Sequence, residues 1–191
     1  ADSGKSFNKA AFMVQFKEYT DYSIGFLTRG CFRKCKFCVN QKYDHVFVHS
    51  PLEEFYDPSR KKICLLDDNF FGFSKWNQSL QELVNTGRPF KFKQGLDERL
   101  LTDAKCEMLF SSNYDGDMTF AFDNISDYDI IRDKLQLIRK YAPTKSIKFY
   151  VLVGFDSTDA TDIENAFKRI ELLMQYKCLP YVMRYQDKNR T

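Results

Sequence analysis

The chain has 191 residues, 43% of them hydrophobic and 29% charged, with a net charge of +3. That is enough for one domain with a real core, and the charge is too mild and too interspersed to argue for a nucleic-acid surface. No apolar run approaches the roughly 20 residues of a membrane span and no signal peptide opens the chain, so the expected compartment is the reducing cytoplasm.

Residues 1–21 read as a lead segment, in which Phe12, Val14 and Phe16 alternate as in a short strand or cover. Residues 22–191 read as the core domain. It starts with the apolar run Tyr22–Leu27, which passes through Thr28-Arg29-Gly30 into Cys31-Phe32-Arg33-Lys34-Cys35-Lys36-Phe37-Cys38. Gaps of three and two residues keep the three sulfurs in one tight loop, able to converge on a single centre. Thiolates are soft ligands that suit iron–sulfur clusters or zinc, and three of them leave one position for a fourth ligand. A zinc knuckle completed by His45 or His49 is the alternative. Structural zinc sites usually draw paired ligands from two places in the chain, and no second Cys pair exists. A non-catalytic iron–sulfur or zinc module, such as an electron carrier, therefore stands beside any catalytic reading. A disulfide would need a secreted context.

Five further strand-like runs follow: Lys62–Leu66, Phe90–Lys93, Met118–Phe122, Ile147–Val153 and Pro180–Tyr185. They begin about 30 residues apart, the length of a strand, a helix and two loops. Several lack clean alternation, as strands buried on both faces do. Between them lie helical stretches with legible ends. Ser50-Pro51-Leu52-Glu53 and Thr161-Asp162-Ile163-Glu164 read as capping boxes. Ser74 precedes the stripe Trp76, Leu80, Leu83 and Val84; Thr102 opens a helix with Cys106, Leu109 and Phe110; Ser126 or Asp127 opens one with Ile131, Leu135 and Ile138; and Phe167, Ile170 and Met174 follow the last box. Five strand–helix units and a sixth strand predict an α/β fold with a parallel sheet and outer helices. Six strands are too few to close an eight-stranded barrel, which leaves an open partial barrel or a doubly wound sheet. Cys64, Cys106 and Cys178 sit in apolar settings and read as core.

In parallel barrels the active groups gather at the carboxyl ends of the strands. Here those ends read Asp67-Asp68-Asn69, Gln94-Gly95-Leu96-Asp97-Glu98-Arg99, Asp123-Asn124, Gly154-Phe155-Asp156 and Arg184-Tyr185-Gln186. Turn chemistry accounts for Gly95, Gly154 and Asp156. It accounts less well for Asp67-Asp68, because adjacent carboxylates repel and their placement asks for a reason.

Cys-x3-Cys-x2-Cys with Phe37 before the last cysteine resembles the cluster motif of radical S-adenosylmethionine (SAM) enzymes. The resemblance spans residues 22 to 185 and implies a partial (β/α)6 barrel of the TIM type. In that family Cys31, Cys35 and Cys38 would hold a [4Fe–4S] cluster and SAM would chelate the fourth iron, to be cleaved to a 5′-deoxyadenosyl radical that abstracts hydrogen from a substrate. The resemblance assigns Asp68 and Asn69 to the SAM amino group, with Asp67 in reserve. It assigns Asp123 and Asn124 to the ribose, Gly154 to the neighbourhood of adenine, and Arg99 or Arg184 to the carboxylate or sulfonium; Gln94 joins the cofactor side. It also implies a low-potential electron donor of flavodoxin or ferredoxin type. Asp67-Asp68-Asn69-Phe70 and Ser50-Pro51-Leu52-Glu53 resemble the cobalamin-associated branch, whose extra domain 21 residues cannot form. The chain opens on Ala1 and has only Gln186–Thr191 after the sixth strand. The expectation is therefore a fragment that cleaves SAM with an incomplete surface for its substrate, which the sequence does not identify.

Overall fold

The computed structural model describes residues 20–155 and 159–186. The expected strand around Phe12, Val14 and Phe16, and Asp156, lie outside the described residues. The apolar runs become strands almost residue for residue. In chain order they are β1 (Tyr22–Gly25), β2 (Thr28–Arg29), β3 (Phe47–Val48), β4 (Lys62–Leu65), β5 (Phe90–Phe92), β6 (Met118–Ala121), β7 (Ile147–Val153) and β8 (Leu179–Arg184). Four α-helices accompany them among the described residues: α1 (Trp76–Asn85), α2 (Asp103–Ser111), α3 (Tyr128–Tyr141) and α4 (Ala160–Gln175).

The long strands form two parallel sheets, ordered β1-β4-β5 and β6-β7-β8. Isolated parallel bridges, Phe90 to Tyr114 and Leu96 to Phe120, join the two where β5 meets β6. The ladder is interrupted there because the chain turns at Gly95, whose φ of +87° suits glycine, before Leu96 N–H returns to the Thr119 carbonyl at 2.8 Å. Among the described residues β1 and β8 do not pair, so no closed barrel forms. One sheet face (Ile63, Leu65, Phe90, Phe120, Phe149) is buried in a single core with Leu80 and Leu83 of α1, Leu109 of α2, Leu135 of α3 and Leu172 of α4. Burying an apolar side chain of this size contributes about 1.5–3 kcal/mol. Cys64, Cys106 and Cys178 are buried free thiols, as their apolar settings predict.

Three expectations are corrected. The first crossover carries no α-helix: Leu52–Glu54 is a single 3-10 turn, and Ser50 provides no cap. Pro51 and Pro58 bracket a segment too short for more, and the Phe55 ring lies flat against Gly25, where a Cβ would come within 2.3 Å of it. The last helix is capped by Asp159, which accepts from Thr161 N–H and Asp162 N–H, and not by Thr161. Its buried face is Ala166, Arg169, Leu172 and Leu173, whereas Phe167 and Met174 are exposed. Arg169 sets that rotation. Its guanidinium is buried because it donates to the Phe122 carbonyl (2.8 Å) and the Leu152 carbonyl (3.0 Å), at the ends of β6 and β7. One smaller difference concerns a cap: α1 starts at Lys75 without a side-chain cap, whereas Thr102 caps α2 through Lys105 N–H, as its place in the sequence predicts.

Candidate functional site

The cysteine loop leaves β1 through the β2–β3 hairpin, where Thr28–Arg29 pairs antiparallel with Phe47–Val48. Gly30 has φ +93°, and a Cβ there would meet the His45 carbonyl at 2.4 Å, so only glycine lets the chain enter the loop at this angle. Within the loop Cys38 N–H donates to the Cys35 carbonyl at 2.9 Å, and the Cys38 sulfur accepts from Asn40 N–H at 3.4 Å. The Cys31 sulfur accepts from Arg33 N–H at 3.4 Å and from Asn69 Nδ2 at 3.3 Å. Burial pushes the Cys35 thiol up, Arg99 opposes that, and the charges of Cys38, Cys31 and Asp123 add to it.

The carboxylates after β4 anchor this loop. Asp67 is buried and accepts from Thr28 N–H and Thr28 Oγ1, each at 2.6 Å, and from Leu27 N–H at 3.3 Å. Burial pushes its carboxyl up to about 6 against the pull of the Thr28 hydrogen bonds. Asp68 accepts from Gly30 N–H (2.8 Å) and Asn40 Nδ2 (2.9 Å) and pairs with Arg29 (3.2 Å). The two side chains take successive parts of the same exit from β1, Asp67 at Leu27 and Thr28 and Asp68 at Arg29, Gly30 and Asn40, which is the reason for the adjacent acids. Asn69, 3% exposed, donates to Cys31 and, at 3.4 Å, to Asp97, while its Oδ1 is buried without a hydrogen-bond partner.

A cavity of about 440 Å³ opens between the cysteine loop and the strand ends. Cys35 and Phe37 line one side; Arg99, Ala121, Asp123 and Leu152 line the other. Phe37 meets Phe155 edge-on at 5.5 Å, and Phe155 meets Tyr185 at 4.8 Å, so the motif aromatic is packed against the end of β7. Asp123 accepts from Leu152 N–H at 3.0 Å, and burial raises its carboxyl. Gly154, at φ +77°, donates its N–H to Asp162 at 2.7 Å. Arg99 donates to Asp97 and to Asp127, each at 2.8 Å. Of the expected residues, the structure brings Cys35, Phe37, Arg99, Asp123 and Asn124 to this cavity, with Gly154 beside it and Asp68 and Asn69 behind the loop. Gln94 is exposed, and Arg184 is exposed on β8 opposite Val153, off the Leu152 side; neither lines the cavity.

Sequence reasoning missed three residues. Asp97 is the hub behind the loop, accepting from Arg33 Nε at 2.6 Å as well as from Arg99; burial alone would raise it, but the Arg99 and Arg33 guanidinium groups hold its carboxyl below the usual range. Glu98 is 1% exposed and pushed up to about 8, by burial first and then by the charge of Asp97; its Oε1 has no hydrogen-bond partner. Arg169 ties the β6 and β7 ends from behind. An Asp-Glu-Arg run at a strand end was the available signal for the first two; none pointed to an arginine within an amphipathic helix.

Among the described residues no three His, Cys, Asp or Glu side chains converge on one ion-sized centre. His45 is turned to Asp44 (2.5 Å) and His49 to Ser50 (3.0 Å). A four-iron cube takes each cysteine at a different iron corner, so its sulfurs stand further apart than ligands of a single ion. Cys31, Cys35 and Cys38 are partly exposed thiols on one loop, a donor set of the soft kind such a cluster takes, and of the three Cys35 lines the cavity. Compared with family models and with curated proteins, the chain matches none. No helix among the described residues is long and apolar enough to cross a membrane.

Proposed function

We propose that the chain is a radical SAM enzyme built on a partial (β/α)6 barrel, with Cys31, Cys35 and Cys38 holding a [4Fe–4S] cluster. The observation that carries this reading is that the motif loop shares one cavity with the carboxyl ends of β6 and β7 and with Arg99 after β5. Strand ends are where a parallel α/β fold presents chemistry. The run of strands in chain order across the Leu96–Phe120 bridge supports the barrel form.

Bound there, the cluster would supply one electron to the SAM sulfonium, releasing methionine and a 5′-deoxyadenosyl radical able to take hydrogen from a substrate. The protein contributes ligation, orientation and exclusion of water. Asp68 holds the loop through Gly30 and Asn40, and Asn69, whose buried Oδ1 has no hydrogen-bond partner, is the residue assigned to the SAM ammonium. Asp123 and Asn124 offer acceptors to ribose hydroxyls, and Phe37 and Phe155 offer ring faces near adenine. Arg99 lines the cavity with its charge shared between Asp97 and Asp127. Flavodoxin or ferredoxin is the class of electron donor the chemistry calls for, and the cytoplasm is the compartment that suits it.

The test is anaerobic reconstitution with iron and sulfide, followed by dithionite and SAM. Formation of 5′-deoxyadenosine is expected. Cluster and SAM both bound with no 5′-deoxyadenosine formed would move the chain to the non-catalytic iron–sulfur class.

A further inference from the structure

The sheet face opposite the helix-packed core carries a cluster of polar and charged side chains. Parallel register places Tyr22 beside Lys62 and Thr119 beside Lys148, and Lys91 stands beside Cys64. With side chains alternating between faces, these residues share one side of the sheet. All but Cys64 line a second cavity of about 280 Å³, together with Lys93 and Tyr150. Four lysines thus face two carboxylates, Asp115 and Asp117.

The charges are unequally satisfied. Lys62 reaches Asp115 at 2.6 Å, Lys91 reaches Asp115 at 3.6 Å and the Tyr22 hydroxyl at 2.8 Å, and Tyr22 donates to Asp115 at 2.5 Å. That network spends Asp115 on two lysines. Among the described residues Lys93 and Lys148 have no ion pair; Lys148 lies only over the Tyr150 ring, 5.7 Å from its centroid. Like charges gathered on a concave surface focus a positive potential that an anion relieves.

We propose that this cavity is an oxyanion site that holds the phosphate of a phosphorylated small-molecule substrate. Lysine ammoniums and the hydroxyls of Tyr22, Thr119 and Tyr150 suit a phosphate, and no arginine fork of the kind that matches a planar carboxylate lines the cavity. The two cavities lie along the same strands. β6 gives Thr119 to the lower and Ala121 to the upper; β7 gives Tyr150 to the lower and Leu152 to the upper. Two residues along a strand span about 6–7 Å, so a ligand anchored by phosphate below extends along β6 and β7 towards the cavity that Cys35 lines. Assigning the phosphate to the substrate rests on the radical SAM reading; the anion site itself does not.

The experiment is calorimetric titration of the 191-residue chain, purified without iron, with inorganic phosphate, methyl phosphate and acetate. Saturable binding of both phosphates, weakened by salt, and none of acetate is expected. Lys93→Ala/Lys148→Ala should lose at least tenfold in affinity, and Lys93→Arg/Lys148→Arg should retain most of it, with unchanged circular dichroism. If the double alanine variant does not fold, Lys93→Gln, at an exposed position, should show a smaller loss in the same direction. No phosphate binding, acetate binding as well as phosphate, or an unaffected lysine variant overturns the site; binding of inorganic phosphate without methyl phosphate overturns the substrate assignment. Replacing Cys31, Cys35 and Cys38 by Ala should leave phosphate binding intact, so loss of the cluster and loss of the anion site are read separately.

Discussion

Asp67 receives both the backbone N–H and the hydroxyl of Thr28 on a single oxygen, each at 2.6 Å, and so ties the end of β4 to the residue where the chain leaves β1 for the cysteine loop. Asp67→Ala removes that acceptor and leaves Thr28 N–H and Leu27 N–H buried without a partner. Leaving buried donors unsatisfied costs about 1–3 kcal/mol. Urea unfolding should show a loss in that range, and an unchanged midpoint would mean that the tie carries no stability.

The thiol assignment divides the cysteines into two sets. Cys31, Cys35 and Cys38 are partly exposed on the loop; Cys64, Cys106 and Cys178 are buried in the fold. After anaerobic reconstitution, the first set replaced by Ala should bind little iron and lack cluster absorbance. The second set replaced by Ala should keep the cluster while losing stability, since each truncation removes a packed buried side chain. Iron retained at wild-type level by the first variant would disprove the ligand set.

Asn69 and Asp68 should respond differently to substitution. The Oδ1 of Asn69 is a buried acceptor without a hydrogen-bond partner, whereas the oxygens of Asp68 are engaged by Gly30, Asn40 and Arg29. A hydrogen bond to a charged group contributes about 1.5–3 kcal/mol, so Asn69→Ala should weaken SAM binding by roughly ten- to a hundredfold. Asp68→Ala should mainly lower cluster yield by loosening the loop. Equilibrium dialysis with labelled SAM, beside iron content, separates the effects; a larger loss of SAM affinity for Asp68→Ala at full cluster loading would reverse the assignment.

Glu98 makes stability depend on pH with a definite sign. Its carboxyl is raised from 4.5 to about 8 by burial and by Asp97. Between those values the folded chain holds a proton that the unfolded chain has released, so this contribution is full below about pH 4.5 and is lost as pH rises through about 8. Asp67, raised to about 6, acts in the same direction over a lower window. Asp97, held low by the two arginines, acts oppositely and loses its contribution on acidification. Glu98→Gln should therefore gain about 2–4 kcal/mol relative to wild type between pH 5 and pH 9. Parallel unfolding curves for the two proteins at both pH values would rule out the buried protonated acid.

The elements that local sequence determined are those whose signal is local. The six apolar runs became strands within about two residues at their ends because hydrophobic content and flanking turn residues act over short range. The cysteine spacing likewise holds three sulfurs in one loop whatever surrounds it. Tertiary structure decided everything that depends on a distant partner. Asp67 and Asp68 were legible as an unusual pair, but their task is set by Thr28, Gly30 and Asn40, 28 to 39 residues away in the chain. The hydrophobic stripe of α4 pointed to Phe167 and Met174, yet the helix is rotated to bury Arg169 because the carbonyls of Phe122 and Leu152 at the sheet ends need its donors. Of the four lysines facing the lower cavity, Lys62, Lys91 and Lys148 stand on three strands and Lys93 just past the end of β5; singly they read as solvated surface, and only the fold puts them on one concave face. Hydrophobic period and turn chemistry are properties of neighbouring residues, whereas a charge's partner, a helix's rotation and a cavity's lining arise from contacts that exist only once the chain has folded.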